Sequence, residues 1–508
     1  MTQAQTVFEL LTVGADTAPA IGSPGREPLS FAGLRVLSEQ VMTALNGVGV
    51  GRNDRVAIVL PNGPEMASAF LSIACCATTA PLNPAYRAEE FDFYLSDLDV
   101  ACLVLQAGDN SPARGVAEGR GIPILELQPE LQGPAGSFRL TGGAAGTPAA
   151  GGRAEADDIA LILHTSGTTS RPKMVPLSQR NVCASASHIG ATLGLVASDR
   201  CLNIMPLFHI HGLIAAVLSS IGAGASVHCA PGFNALRVFN WFDEVVPTWY
   251  TAVPTMHQAI LSRAPRNRES VARLELRFIR SSSSSLPPQV MAQLEETFGC
   301  PVIESYGMTE AAHQMASNPL PPAARKPGSV GIAAGPDVAI MAENSAAMLP
   351  RGTQGEVVIR GPNVTAGYLE NPAANATAFT DGWFRTGDLG IMDDEGYLSI
   401  TGRLKEIINR GGEKISPREV DEVLMDHPAV AQVVTFAMPH DKLGEEVAAA
   451  VTLNEGASVS EADLRRFAAE RLADFKVPRK IVMLDEIPKG ATGKLQRIGL
   501  AEKLGLAS

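Results

Sequence analysis

Nine consecutive residues, Thr165-Ser166-Gly167-Thr168-Thr169-Ser170-Arg171-Pro172-Lys173, combine five hydroxyl side chains, one glycine and two cations. They follow the apolar run Ile159-Ala160-Leu161-Ile162-Leu163, which predicts a buried strand. Hydroxyls and backbone N–H groups in a tight turn after a strand cradle phosphate oxygens, and Lys173 adds a positive charge. The segment is not a P-loop, because Pro172 stands where the second glycine of G-x-x-x-x-G-K would fall. A polar surface loop has a similar composition, so the other segments able to do chemistry decide between the two.

Four such segments follow. Tyr306-Gly307-Met308-Thr309-Glu310 comes after the strand-like Pro301-Val302-Ile303-Glu304. Its ring offers a stacking face for a base; Thr309 offers a phosphate ligand and Glu310 an oxygen for Mg²⁺. Trp383-Phe384-Arg385-Thr386-Gly387-Asp388 sets an aspartate after a turn, able to accept hydrogen bonds from ribose hydroxyls. Gly402-Arg403-Leu404-Lys405-Glu406 is followed by the glycine pair Gly411-Gly412. Pro488-Lys489-Gly490-Ala491-Thr492-Gly493-Lys494 presents a lysine in a glycine-flanked loop. Taken singly, a strand-end turn, an N-capping aspartate, salt-bridged surface charges and a solvated lysine loop account for each.

Together and in this order, the five segments resemble the adenylate-forming enzymes, which comprise acyl-CoA synthetases, luciferases and peptide-synthetase adenylation domains. The resemblance covers roughly residues 30–495. It implies an ATP site from Thr165, Ser166, Gly167, Thr168, Thr169, Glu304, Ser305, Tyr306, Gly307, Thr309, Asp388, Arg403 and Lys494. Lys494, Glu310, Thr309 and Lys173 are implied to be catalytic, with Mg²⁺ held through Glu310. Lys405 takes the hinge position, and Gly411 and Gly412 form the loop presented for a thioester step with coenzyme A. The reaction implied is attack of a carboxylate on the α-phosphorus of ATP, then displacement of AMP by a thiol. A peptide-synthetase module carries a downstream carrier domain, for which the chain leaves no room; Lys494 and Glu310 argue against a binding protein without catalysis.

The acid is read from Pro206-Leu207-Phe208-His209-Ile210-His211-Gly212, from the five serines Ser281 to Ser285, and from His313. Imidazoles and hydroxyls suit a polar, anionic acid, whereas a fatty chain needs an apolar tunnel. The stretch Tyr306 to Met315, then Ser317-Asn318-Pro319-Leu320-Pro321 and Lys326-Pro327-Gly328-Ser329-Val330-Gly331, resembles the oxalate–CoA ligase branch. Gly307, where that branch is expected to carry alanine, and the unbroken serine run depart from it. The resemblance implies Ser283, His209, His211 and His313 as acid ligands and oxalate as the acid. A ligase for another small or fatty acid and a luciferase-type monooxygenase remain open.

The elements that must position these residues are legible as a rhythm. Arg55 to Leu60 reads as a strand, Glu65 to Thr78 as a buried helix and Val100 to Leu105 as a strand, the β-α-β pattern of a parallel sheet. Further strands are expected near Ser226–Cys229, Trp249–Ala252 and Arg277–Ser281, and after residue 330 short strands between turns suggest a β-rich subdomain. The fold class expected is α/β: a large N-terminal domain of parallel-sheet α/β subdomains plus a β-rich subdomain, joined by a hinge to a small α+β C-terminal domain. The division is placed at 1–402 and 403–508, the second part being the mobile one. The 508 residues exceed what one core usually spans. A net charge of −12 with no basic cluster speaks against nucleic-acid binding. Seven scattered cysteines, no apparent signal peptide and no run of about 18 apolar residues lead to the expectation of a reduced, cytoplasmic protein without a membrane span.

Overall fold

The computed structural model describes residues 4–165, 172–489 and 495–506. Two sheets with parallel centres form the larger part. The seven-stranded one runs, in spatial order, Phe138–Gly142, Ile124–Pro129, Cys102–Gln106, Arg55–Val59, Thr78–Pro81, Ile159–Thr165, Lys173–Ser178. Its central pairs are parallel, and the strands there are almost wholly buried, as near-continuous apolar runs demand when helices cover both faces. It ends in an antiparallel hairpin that sets Thr165 opposite Lys173. The helix expected from Glu65 to Thr78 spans Pro64–Ala74; Thr78 already belongs to the next strand.

The nine-stranded sheet holds the parallel strands Ser226–Cys229, Arg200–Asn203, Trp249–Ala252, Phe278–Ser281 and Val302–Met308. The last of these folds back antiparallel onto His313–Ser317 through the short 3-10 turn Thr309–Ala311. Tyr306-Gly307 is therefore not a strand-end turn: the strand continues to Met308, with a bulge between Tyr306 and Gly307. Gly307 is required by packing. A Cβ there would lie 1.8 Å from the carbonyl oxygen of His313, which explains why this chain keeps glycine where alanine was expected.

A five-stranded antiparallel sheet contains Asp337–Met341, Gly355–Arg360, Trp383–Met392, Phe379–Thr380 and Leu398–Arg403. Beyond it, Ile408–Arg410, Glu413–Ile415, Val430–His440, Gly444–Leu453 and Lys480–Met483 make a separate sheet packed by the helices Pro417–Met425 and Glu461–Ala469. The chain is thus an α/β protein with a β-rich part and a small C-terminal domain. Polar contacts between that domain and the rest include Gln289 Nε2 donating to Asp426 Oδ1 at 2.6 Å and Gln258 Nε2 donating to the Ala431 carbonyl at 3.2 Å. Among the described residues, no helix is long and apolar enough to cross a membrane. All seven cysteines are free and buried.

Candidate active site

The hairpin Val302–Met308 to His313–Ser317 carries Tyr306, Thr309, Glu310 and His313 within a few residues, and three polar clusters are built around it. In the first, Asp388 accepts hydrogen bonds from the Tyr306 hydroxyl at 2.5 Å and from Arg403 Nε at 2.6 Å. Asp388 and Arg403 are cross-strand partners in the antiparallel sheet, so strand register alone places them side by side. The three residues read as base-stacking, ribose-binding and nucleotide-contacting therefore share one network.

The second cluster is buried around Glu310. Its Oε1 accepts the Tyr368 hydroxyl at 2.9 Å, and Lys173 Nζ stands 4.3 Å from the centre of the Tyr368 ring. Burial pushes the Glu310 carboxyl up, opposed by the Tyr368 hydroxyl and by Arg403 and Lys173. Lys173 is shifted down, first by burial and then by the charge of Lys405, with Glu310 opposing. Tyr368, which sequence reasoning missed, thus links a carboxylate to a cation.

The third cluster lies where strands of the parallel sheet end, the usual place for ligands in open α/β sheets. His211 begins the π-helix His211–Leu218, an irregularity common at functional sites. Its Nδ1 is 3.0 Å from Ser283 Oγ and its Nε2 is 2.6 Å from Thr251 Oγ1. His313 stacks on His211 with ring centroids 5.0 Å apart. Ser283, Ala312 and His313 all adopt positive φ, at 74°, 46° and 101°. Backbone strain of this kind collects at functional sites. His209 lies beside this cluster, its Nδ1 accepting the His211 backbone N–H at 3.3 Å.

Beneath these rings is Arg280, which is 0 % exposed. Its Nη1 donates to His211 Nε2 at 3.4 Å, to His313 Nε2 at 3.3 Å and to Thr251 Oγ1 at 3.4 Å; its Nη2 donates to Gln314 Oε1 at 3.4 Å. Thr251 and Arg280 are register partners on parallel strands, so both face His211. The one signal in the sequence was an arginine interrupting the apolar strand Phe278-Ile279-Arg280-Ser281.

Glu304 is buried on the same hairpin. Its Oε1 accepts the Leu286 N–H at 2.9 Å, which ties down the end of the serine loop, while its Oε2 is buried without a partner. The next residue, Ser305, pairs with Ser317 at 3.0 Å and accepts Ser282 Oγ on its carbonyl at 2.9 Å. Burial pushes the Glu304 carboxyl up to about 7, against an ordinary 4.5. The folded protein then holds a proton that the unfolded chain releases first, so stability falls as pH rises through the window from about 4.5 to about 7. The fall amounts to roughly 3 kcal/mol. Glu304→Gln is expected to melt higher than wild type at pH 8 and about equally at pH 5. Melting curves that stay parallel across that range would rule out a buried, protonated Glu304.

Lys405 lies in the turn closed by the Glu406 N–H on the Arg403 carbonyl, and Gly411 and Gly412 form the tip of the hairpin joining Ile408–Arg410 to Glu413–Ile415. Ser166, Gly167, Thr168, Thr169 and Lys494 lie outside the described residues.

Comparison with known proteins fixes the class. The AMP-binding enzyme family model matches residues 14–369, and the AMP-binding enzyme C-terminal domain model matches residues 419–494. The chain belongs to the AMP-binding enzyme family, the adenylate-forming group its motifs resemble. It is 47% identical to an oxalate–CoA ligase of Arabidopsis thaliana, over 94% of each chain. It is 41% identical to an oxalate–CoA ligase of Saccharomyces cerevisiae, over 90% of this chain and 88% of that one. ATP-bound MatB from Rhodopseudomonas palustris superimposes with a TM-score of 0.87 at 28% identity, covering 98% of each chain. The same protein in its apo form gives 0.77.

Proposed function

We propose that the protein is an AMP-forming acid–thiol ligase acting on oxalate: oxalate, ATP and coenzyme A give oxalyl-CoA, AMP and pyrophosphate. The observation that carries the acid is the third cluster, in which Ser283, His211 and His313 converge from separate segments into one polar group. The similarity to two oxalate–CoA ligases over most of the chain supports it.

In the first half-reaction a carboxylate oxygen of the acid attacks the α-phosphorus of ATP, and the bond to pyrophosphate breaks. The obstacle is repulsion between anions, which Lys173 and Lys494 relieve by placing positive charge where the negative charge gathers. Tyr306, Asp388 and Arg403 hold the nucleoside, with Glu304 and Ser305 supporting them; Thr165 to Thr169 and Thr309 hold the phosphates. Among the described residues no group of three or more His, Cys, Asp or Glu could hold a metal ion alone. A Mg²⁺ ion carried on nucleotide phosphates needs only one or two protein carboxylates, and Glu310 fits that demand. When bound, the ion neutralises phosphate charge. Thr309 and Glu310 stand next to each other on the turn of one hairpin.

In the second half-reaction the thiol sulfur attacks the acyl carbon and AMP leaves. The C-terminal domain, residues 403–508, turns about Lys405, withdrawing Lys494 and bringing up Gly411 and Gly412. The polar contacts described between the domains suit a transient interface. Free, buried cysteines fit a reducing compartment, the cytoplasm. The overall reading is tested by incubating the full chain with oxalate, ATP, Mg²⁺ and coenzyme A. An oxalyl thioester and AMP in equal amounts are expected; AMP without thioester would set the ligase reading aside.

The hinge makes its own prediction. Proline at 405 fixes φ near −65° and removes a backbone N–H, so the segment resists a change of conformation. In Lys405→Pro, adenylation is expected to persist while single-turnover transfer to coenzyme A slows by at least about tenfold, equivalent to ~1.4 kcal/mol on the barrier. Unchanged transfer would remove Lys405 as the pivot.

A further inference from the structure

We propose that Arg280 is a positioning residue that makes the acid pocket select a dianion, by holding a buried positive charge behind His211, His313 and Ser283 and fixing the direction in which their protons point. This rests on the reading of the third cluster as the acid pocket.

An arginine can only donate hydrogen bonds. Its Nη1 is directed at the Nε2 atoms of both histidines, so each Nε2 accepts and each ring carries its proton on Nδ1. His211 Nδ1–H then donates to Ser283 Oγ, 3.0 Å away. The serine hydroxyl, its acceptor side engaged, is left to donate onward. The chain Arg280 to His211 to Ser283 therefore runs donor to acceptor in one direction, outward from the guanidinium. Thr251 Oγ1 lies 2.6 Å from the same His211 nitrogen and itself accepts from Arg280 Nη1 at 3.4 Å.

The charge itself is not balanced. Arg280 is fully buried, its Nε has no hydrogen-bond partner, and the partners of its other nitrogens are imidazoles, a hydroxyl and an amide, all of them neutral in this arrangement. Among the described residues no Asp or Glu forms an ion pair with it. Burial lowers its pKa only to about 9, so it remains protonated at neutral pH. A buried charge without a counter-ion is costly to the free protein. A substrate that brings a second carboxylate to Ser283 and His211 supplies the missing negative charge. A monoanion, whose single carboxylate is committed to ATP, does not.

The test compares oxalate with glyoxylate, which is of similar size but has one carboxylate, in wild type, Arg280→Met and Arg280→Lys. In Arg280→Met the KM for oxalate is expected to rise roughly 10- to 100-fold, the range for losing a charge-assisted hydrogen bond. The KM for ATP should stay within about twofold and glyoxylate use within about threefold, because neither draws on the second carboxylate site. Arg280→Lys, which keeps the charge but not the fork, should recover part of the oxalate preference. The ligand-free Met variant should melt no lower than wild type, and oxalate should no longer raise its melting temperature. A lower melting temperature with equal loss on both acids would show a merely structural arginine and overturn the proposal. So would an unchanged oxalate KM. If wild type prefers malonate or succinate to oxalate, the choice of acid fails, and the Arg280 proposal is decided by the same comparison between that diacid and its monoacid homologue. If wild type prefers a monocarboxylate to every diacid, both fall.

Discussion

Oxalate is expected to be used over acetate and hexanoate by about 10⁴ in kcat/KM, the discrimination available to a site built to bond a polar group against analogues that lack it. Oxalate has no carbon chain to bury, so hydrophobic transfer contributes almost nothing to its recognition. Binding must come from fixed donors held one C–C bond from the reacting carboxylate. Ser283, His211 and His313 are the donors proposed for that task, and they form one polar cluster with backbone at Ser283 and His313 at positive φ. Ser283→Ala keeps the Cβ and removes only the hydroxyl. It and His313→Ala are each expected to cost about 10- to 100-fold in kcat/KM for oxalate, with the KM for ATP near normal. Pyrophosphate release across a panel of acids measures all of this. Hexanoate or octanoate outcompeting oxalate would replace the oxalate reading with a general acyl-CoA ligase.

Lys494→Ala is expected to divide the two half-reactions. Adenylate formation should fall by about 10²- to 10³-fold or more, the usual cost of removing a group that stabilises developing charge. Thioester formation from a supplied acyl-adenylate should be nearly unaffected, because the proposed turn of the C-terminal domain withdraws the lysine before that step. The argument is electrostatic: two approaching anions require more positive charge than Lys173 alone supplies. Exchange of labelled pyrophosphate into ATP reads the first step, and thiol consumption with synthetic acyl-adenylate reads the second. Equal loss in both, in a folded variant, would refute the division of labour.

The sequence by itself determined the class of fold and the order of the motifs. Apolar runs such as Ile159 to Leu163 are written in local composition, because a parallel strand covered on both faces is built mostly of apolar residues. Glycine- and hydroxyl-rich turns are legible for the same reason: their backbone needs those residues locally. Ser283, His211 and His313 could be named from sequence because they stand in recognisable segments. What only the tertiary structure decided was which of these residues meet. Asp388 joins Arg403 through strand register, and Glu310 joins Lys173 through Tyr368, a residue no local pattern singles out. Arg280 was the least legible. A single arginine in a short strand has no periodicity to betray it, and its meaning depends on four partners from three other segments, Thr251, His211, His313 and Gln314, that converge only when the parallel strands align. Charge burial is a property of the packed sheet, and it enters the chain's chemistry only once that sheet has formed.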